Sequence, residues 1–187
     1  MQLCLERGAD VDQPDEDNST PLFTACRNGH LDAARLCADH GANVNWVARD
    51  GVTPLYLACY EGRFDAARLL LDRGADVHRA AQGATPLHAA AGGGHVDTAA
   101  LLLDRGADIG RATNNGMPPF FVACHQGHIA MATVLLDRGF SVHWAMTDGW
   151  TAIFAACQEG HADAVRLCWT AAPTLIRPTT NRGLPFI

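Results

Sequence analysis

Apolar residues in this chain come in short bursts at helical spacing. Leu22, Ala25 and Cys26 fall at i, i+3 and i+4 directly after a Thr-Pro pair, and Gly29 closes the burst. That spacing predicts a short helix with one buried face. Thr20 supplies a side-chain oxygen to an orphan amide, and Pro21 takes the first helical position, which needs no donor. After a tight turn, a second burst predicts a second helix, from Asp32 to about Asp39 in one copy and from Asp65 to Arg73 in the next, with Ala67, Leu70 and Leu71 facing inward. Arg73, Arg105 and Arg138 sit in its last turn, where a cation complements the helix dipole, and Gly74, Gly106 and Gly139 follow as left-handed caps. The stretch leading to the next Thr-Pro, such as Asn45 to Asp50, contains Asp-Gly or Asn-Gly and predicts an extended turn.

The unit recurs in phase along the whole chain. Ser19-Thr20-Pro21-Leu22, Val52-Thr53-Pro54-Leu55 and Ala84-Thr85-Pro86-Leu87 are separated by 33 and 32 residues, and Met117-Pro118-Pro119-Phe120 and Trp150-Thr151-Ala152-Ile153 are weaker copies at the next two steps of 33. A second landmark gives Gly29-His30, Gly62-Arg63, Gly94-His95, Gly127-His128 and Gly160-His161. A third gives Gly8-Ala9-Asp10, Gly41-Ala42-Asn43, Gly74-Ala75-Asp76, Gly106-Ala107-Asp108 and Gly139-Phe140-Ser141. Two helices this short cannot bury their apolar faces alone, so each copy must lean on its neighbours.

Thr85-Pro86-Leu87-His88-Ala89-Ala90, Gly94-His95, Leu101-Leu102-Leu103 and Gly106-Ala107-Asp108 resemble the ankyrin repeat pattern almost throughout, and the resemblance covers essentially the entire chain. It implies an all-α solenoid of stacked antiparallel helix pairs joined by hairpin-like β-turn loops. By phase, residues 1–16 are a partial repeat containing a second helix and turn. Repeats follow at 17–49, 50–81, 82–114, 115–147 and 148–180, and residues 181–187 form a truncated start or tail. Met1, Leu3 and Leu5 at one end, and Leu167, Trp169 and Leu175 at the other, belong to apolar helix faces, which predicts a piece of a longer repeat protein. The alternative is an end that caps itself, with Pro173 and Pro178 stopping propagation. The 115–147 copy departs most, with Pro118 in place of the capping Thr and Phe140-Ser141 in place of Ala-Asp, and is expected to be the least stable. The 50–81 copy is one residue short, and the deletion is expected in the turn around Arg79 to Gln82.

Composition narrows the chemistry. With 20 acidic residues against 14 basic ones, all arginine, the formal charge is -6, which repels a nucleic-acid backbone. The absence of lysine removes a phosphate-loop lysine and a Schiff-base lysine. No apolar run approaches the roughly 20 residues of a membrane span, and no signal peptide opens the chain, so the expectation is a soluble intracellular protein of the cytoplasm or nucleus. Seven cysteines, odd in number and evenly spread, read as reduced thiols.

Cys26 with His30, Cys124 with His128 and Cys157 with His161 could each ligate zinc from one helix. The Gly before each His ends the helix, however, and neighbouring repeats stand about 8–10 Å apart, too far to share one ion. The packing alternative places each Cys in a small buried slot, filled by Ala91 in the third full copy, and the resemblance implies that the His hydrogen-bonds between repeats. His88 beside its cap suggests a nucleophile's base, yet Phe23, Tyr56, Phe121 and Phe154 replace it elsewhere, which marks a packing position. Asp15-Glu16-Asp17 lacks the spacing of a calcium loop and reads as a solvated acidic turn. No metal, cofactor, small-molecule substrate or catalytic residue is expected.

The resemblance implies a concave face built from turn tips and the exposed side of each first helix. Carried onto this chain, it points to Arg49, Val52, Tyr60 and Glu61 in the first half and to Met117, His125, Gln126, Trp150, Gln158 and Glu159 in the second. The centre, Ala84, Gly92 and Gly93, is nearly bare, which suits a closely packed partner ridge or helix. Trp46 and Trp144 share one repeat position, and either pack across the turn or join that surface. The implied function is a non-catalytic scaffold or adaptor that binds another protein. The alternative is a regulatory or targeting segment of a larger enzyme of kinase or ubiquitin-ligase type.

Overall fold

The computed structural model describes residues 9–146 and 149–172. Met1, Leu3, Leu5, Gly8, Pro173, Leu175, Pro178 and the segment 183–186 lie outside these described residues. Within them the chain forms five helix pairs: α1 (Pro21–Asn28) with α2 (Leu31–Asp39), α3 (Pro54–Tyr60) with α4 (Phe64–Asp72), α5 (Pro86–Gly93) with α6 (Val96–Asp104), α7 (Pro119–His125) with α8 (Ile129–Asp137), and α9 (Ala152–Gln158) with α10 (Ala162–Ala171). The only β-bridges among the described residues are isolated ones, Ala81 with Ala84 and Ala145 with Thr151, so the architecture is all-α.

First helices start where the Thr-Pro pairs place them. The Oγ1 atoms of Thr20 and Thr53 accept the N–H groups of Phe23 and Tyr56 at 3.3 and 3.2 Å, satisfying donors that have no partner inside the helix. Second helices start one residue earlier than expected, at Leu31 and Phe64, because the carbonyls of His30 and Arg63 already accept from Ala34 and Ala67. Along α4 the buried arc runs through Ala66, Ala67, Leu69 and Leu70, and Leu71 is half-buried. At about 100° per residue, Leu71 lies some 40° beyond Ala67, on the flank of that arc.

Successive first helices are in closer contact than successive second helices, so the stack bends with the first helices on the inside. An ion-pair ladder runs along the second-helix side. Arg73 reaches back to Asp39 at 2.6 Å, Arg105 to Asp72 at 2.8 Å and Arg138 to Asp104 at 2.9 Å. These arginines are therefore cross-links between neighbouring pairs, and they occupy the C-cap instead of the last helical turn. The turns are cross-linked as well: the Trp46 indole N–H donates to the Asn18 carbonyl at 2.8 Å, and the Asn18 amide donates to the Val47 carbonyl at 3.0 Å. Trp46 and Trp144 are half-buried, and Trp144 packs against the core, so both take the packing role.

The missing residue of the second copy is at the turn tip. In the first copy three residues separate Ala48 from Val52, whose carbonyl accepts the Ala48 N–H. In the second copy only Gln82 and Gly83 separate Ala81 from Ala84, which exchange both hydrogen bonds at 2.9 Å. A two-residue hairpin of this hand needs positive φ at both central positions. Gln82 and Gly83 have φ 51 and 87. In the fourth copy Phe120 and Phe140, replacing Leu and Ala, stack with centroids 5.1 Å apart and are both buried, while Pro118 supplies no side-chain cap to α7.

Two expectations fail in the fifth pair. Phe154 is 60% exposed although its counterparts Phe23 and Phe121 are buried, and Cys157 is exposed although Cys26, Cys59 and Cys124 are buried. In the earlier copies both positions are covered by the next helix pair, and no pair covers α9 and α10 among the described residues. Trp169 is 58% exposed for the same reason, whereas Leu167 is half-buried like its interior counterparts Leu101 and Val134.

Candidate partner-binding groove

The first-helix side carries two adjoining clefts. One, of about 530 Å³, lies between the first two turns and is lined by Asp15, Arg27, Arg49, Val52, Tyr56 and Tyr60 among others. The other, of about 520 Å³, is lined by Gln82, Ala84, Asn114 and Met117. Both include Asp50, Val52 and Tyr56, so they form one trough crossing four turns. Tyr60 is 53% exposed at its rim. Burial, and secondarily Tyr60 and Asp50, push the Tyr56 phenol above its ordinary value, so it stays protonated in the cleft.

The trough therefore gathers Arg49, Val52, Tyr60 and Met117 from the expected residues. Glu61 is exposed at the C-cap of α3, and Gln126 is exposed at the C-cap of α7. A second cluster joins His125, Gln158 and Glu159: Glu159 Oε1 lies 3.6 Å from His125 Nε2 and accepts from the Gln158 amide at 3.1 Å. Trp150 is 41% exposed and its ring tilts against Phe154 with centroids 6.2 Å apart. Sequence reasoning missed Tyr56 and Phe154, which share one repeat position with the buried Phe23 and Phe121. It also missed Arg27, Asp50 and Asn114, whose place in the trough depends on neighbouring turns.

The bare centre has an internal cause. A Cβ on Gly93 would lie 2.8 Å from the Tyr60 carbonyl and 2.5 Å from the His95 ring, so close packing between neighbouring pairs requires glycine there. The His95 imidazole N–H donates to that Tyr60 carbonyl at 3.0 Å, and His128 donates to the Gly92 carbonyl at 2.9 Å. Each histidine thus satisfies an orphan carbonyl at the end of the preceding first helix.

These bonds also decide the chemistry of the Cys and His pairs. His128 Nε2 is turned to Gly92, whereas the Cys124 sulfur lies 3.8 Å from that of Cys168, so thiol and imidazole face different neighbours. The hydrogen bond between the two sulfurs, in which either can donate, holds Cys168 below its ordinary thiol value and, with burial, pushes Cys124 up. Burial pushes the Cys26 thiol up to about 12 and that of Cys59 further still, and a thiol in this state is a poor nucleophile. His88 is committed at both nitrogens, with Nδ1 accepting the Thr85 N–H at 3.1 Å and Nε2 donating to the Met117 carbonyl at 3.0 Å. Burial lowers its pKa and favours this neutral tautomer. No group of three or more metal-ligating side chains converges among the described residues.

No helix of the described residues is long and apolar enough to cross a membrane. No curated protein matches the chain. Family models do: ankyrin repeats in three copies match residues 1–81, 43–113 and 78–144, and a single ankyrin repeat matches 148–176. Ankyrin repeats are generally protein-protein interaction modules, and their fold is typically non-catalytic. Paired helices, interlocked turns and these matches over nearly the whole length lead to one conclusion: the chain belongs to the ankyrin repeat family.

Proposed function

We propose that the chain is a non-catalytic scaffold or adaptor module, in the cytoplasm or nucleus, that captures a partner protein along its first-helix and turn-tip side. The observation that carries this reading is the trough shared by Asp50, Val52 and Tyr56, which offers aromatic surface, both signs of charge and backbone held by helix pairs on either side. A preorganised cleft of this kind binds at reduced ordering cost, and the exposed Tyr60 at its rim and the exposed Trp150 before the fifth pair are suited to become interface hot spots. Repeats at 17–49, 50–81, 82–114, 115–147 and 148–180 each contribute one turn tip and one first helix to the surface.

The test is affinity capture with the wild-type chain, the double variant Tyr60→Ala with Trp150→Ala, and a control, Arg68→Ala, on the exposed face of α4. The double variant should retain helicity and melting while capture falls about tenfold or more, as expected for hot-spot loss, and the control should capture normally. Equal capture by all three would refute the assignment of the face.

A further inference from the structure

The repeat brings two sulfurs together at one boundary. Cys124 stands on α7 at the position held by Cys26, Cys59 and Ala91 in earlier first helices. Cys168 stands on α10 where Leu70, Leu102 and Leu135 stand in the three preceding second helices. Leucine fills that place with inert volume and is fully buried in all three. Cysteine instead leaves two thiols in contact, 3.8 Å apart and buried to 0% and 3% exposure. They come from different helix pairs, so a bond between them would join the fourth pair to the fifth.

We infer that Cys124 and Cys168 are an oxidisable dithiol pair, a covalent modification site at which a disulfide staples the fifth helix pair to the fourth. The inference is independent of the partner-binding groove. Burial blocks reagents in the closed state, but the fifth pair lacks two ties that earlier pairs have. Its Thr151 Oγ1 is buried without a hydrogen-bond partner, and Ala171 stands where the ladder arginines stand earlier. A pair with fewer cross-links to its neighbours opens locally at lower cost.

The oxidant is a low-molecular-weight disulfide such as oxidised glutathione. With the fifth pair open, the Cys168 thiolate attacks one sulfur of that disulfide, its S–S bond breaks, and one small thiolate leaves. Reclosure brings the Cys124 thiolate against the Cys168 sulfur, and the new bond expels the second small thiolate. Two protein thiols lose two protons and two electrons, and the small disulfide is reduced to two thiols. Closing from contact to a bond of about 2.05 Å asks the sulfurs to approach by less than about 2 Å.

The test uses the full reduced chain incubated with oxidised glutathione, alkylated, and mapped by mass spectrometry without reduction. The expected product is one peptide pair joined through residues 124 and 168, two hydrogens lighter, with the melting midpoint raised by about 5–10 °C and restored by dithiothreitol. Cys168→Leu installs the residue of the interior pairs, so it should fold when reduced and show no oxidation-dependent shift. Alkylation of both Cys124 and Cys168 after oxidation, or thiol loss confined to Cys157 and other residues, would overturn the pair. A linked product with an unchanged midpoint, or the same shift in Cys168→Leu, would overturn the staple.

Discussion

The third and fifth helix pairs are copies of one unit, yet they live in different surroundings. In the third, Leu87, Ala91 and Leu102 are wholly buried, His88 ties its own cap to the next turn, and Arg105 is anchored to Asp72. In the fifth, Thr151 Oγ1 has no hydrogen-bond partner, and Phe154 and Trp169 are 60% and 58% exposed. The same repeat position is core in one and surface in the other. Burial in this fold is thus a property of the boundary between pairs, and a residue's environment is set by whether a neighbouring pair packs over it.

Truncating the core side of that comparison should have the largest effect. Leu102→Ala removes a fully buried side chain and should cost about 3 kcal/mol in denaturant unfolding, whereas Phe154→Ala should change stability by less than about 0.5 kcal/mol. A similar cost for both would erase the distinction.

Glycine replacements separate backbone strain from packing. Gly62 and Gly160 hold the same repeat position at φ 67 and 76. A Cβ at Gly62 meets the His95 ring at 2.5 Å, while one at Gly160 meets nothing within 4 Å. Gly160→Ala should therefore cost only the left-handed backbone penalty, about 1 kcal/mol, and Gly62→Ala about 2 kcal/mol or more, read from the same denaturation curves.

The smallest effect is in pH. Burial lowers the pKa of His88 in the folded chain, so below about pH 6.5, the ordinary histidine value, the unfolded chain binds more protons and stability falls. Above that value the folded and unfolded chains bind this proton equally and the effect vanishes. His88→Phe, which copies Phe23 and Phe121, should flatten the dependence between pH 7 and 5 in parallel melts, and an unaltered slope would show that His88 does not titrate as described.

Much of this was legible in the sequence, for reasons that mark where legibility stops. Thr-Pro, Gly-His and the left-handed glycines act within a few residues of themselves, so helix starts and ends were readable to within one residue. The shortened turn before Thr85 was readable from phase alone. Arg73 with Asp39 was not, since the partners are 34 residues apart and the dipole at the helix end explains an arginine equally well. Phase places Phe154 and Cys157 in the buried environment of their counterparts, and it is blind to whether a neighbouring pair packs over them among the described residues. Within the groove, Arg49, Tyr60 and Met117 followed from the resemblance. The pattern places Gly93 at an open site facing a partner, but its small size answers to the Tyr60 carbonyl packed against it.

Residue-resolved native-state hydrogen exchange tests most directly the claim that each pair is stabilised by its neighbours. The amides of α5 and α6 should exchange only through openings of several pairs, and those of α9 and α10 at least about tenfold faster through opening of the fifth pair alone. Equal protection from α1 to α10 would contradict the account, because the stack would then open as one body irrespective of who covers whom.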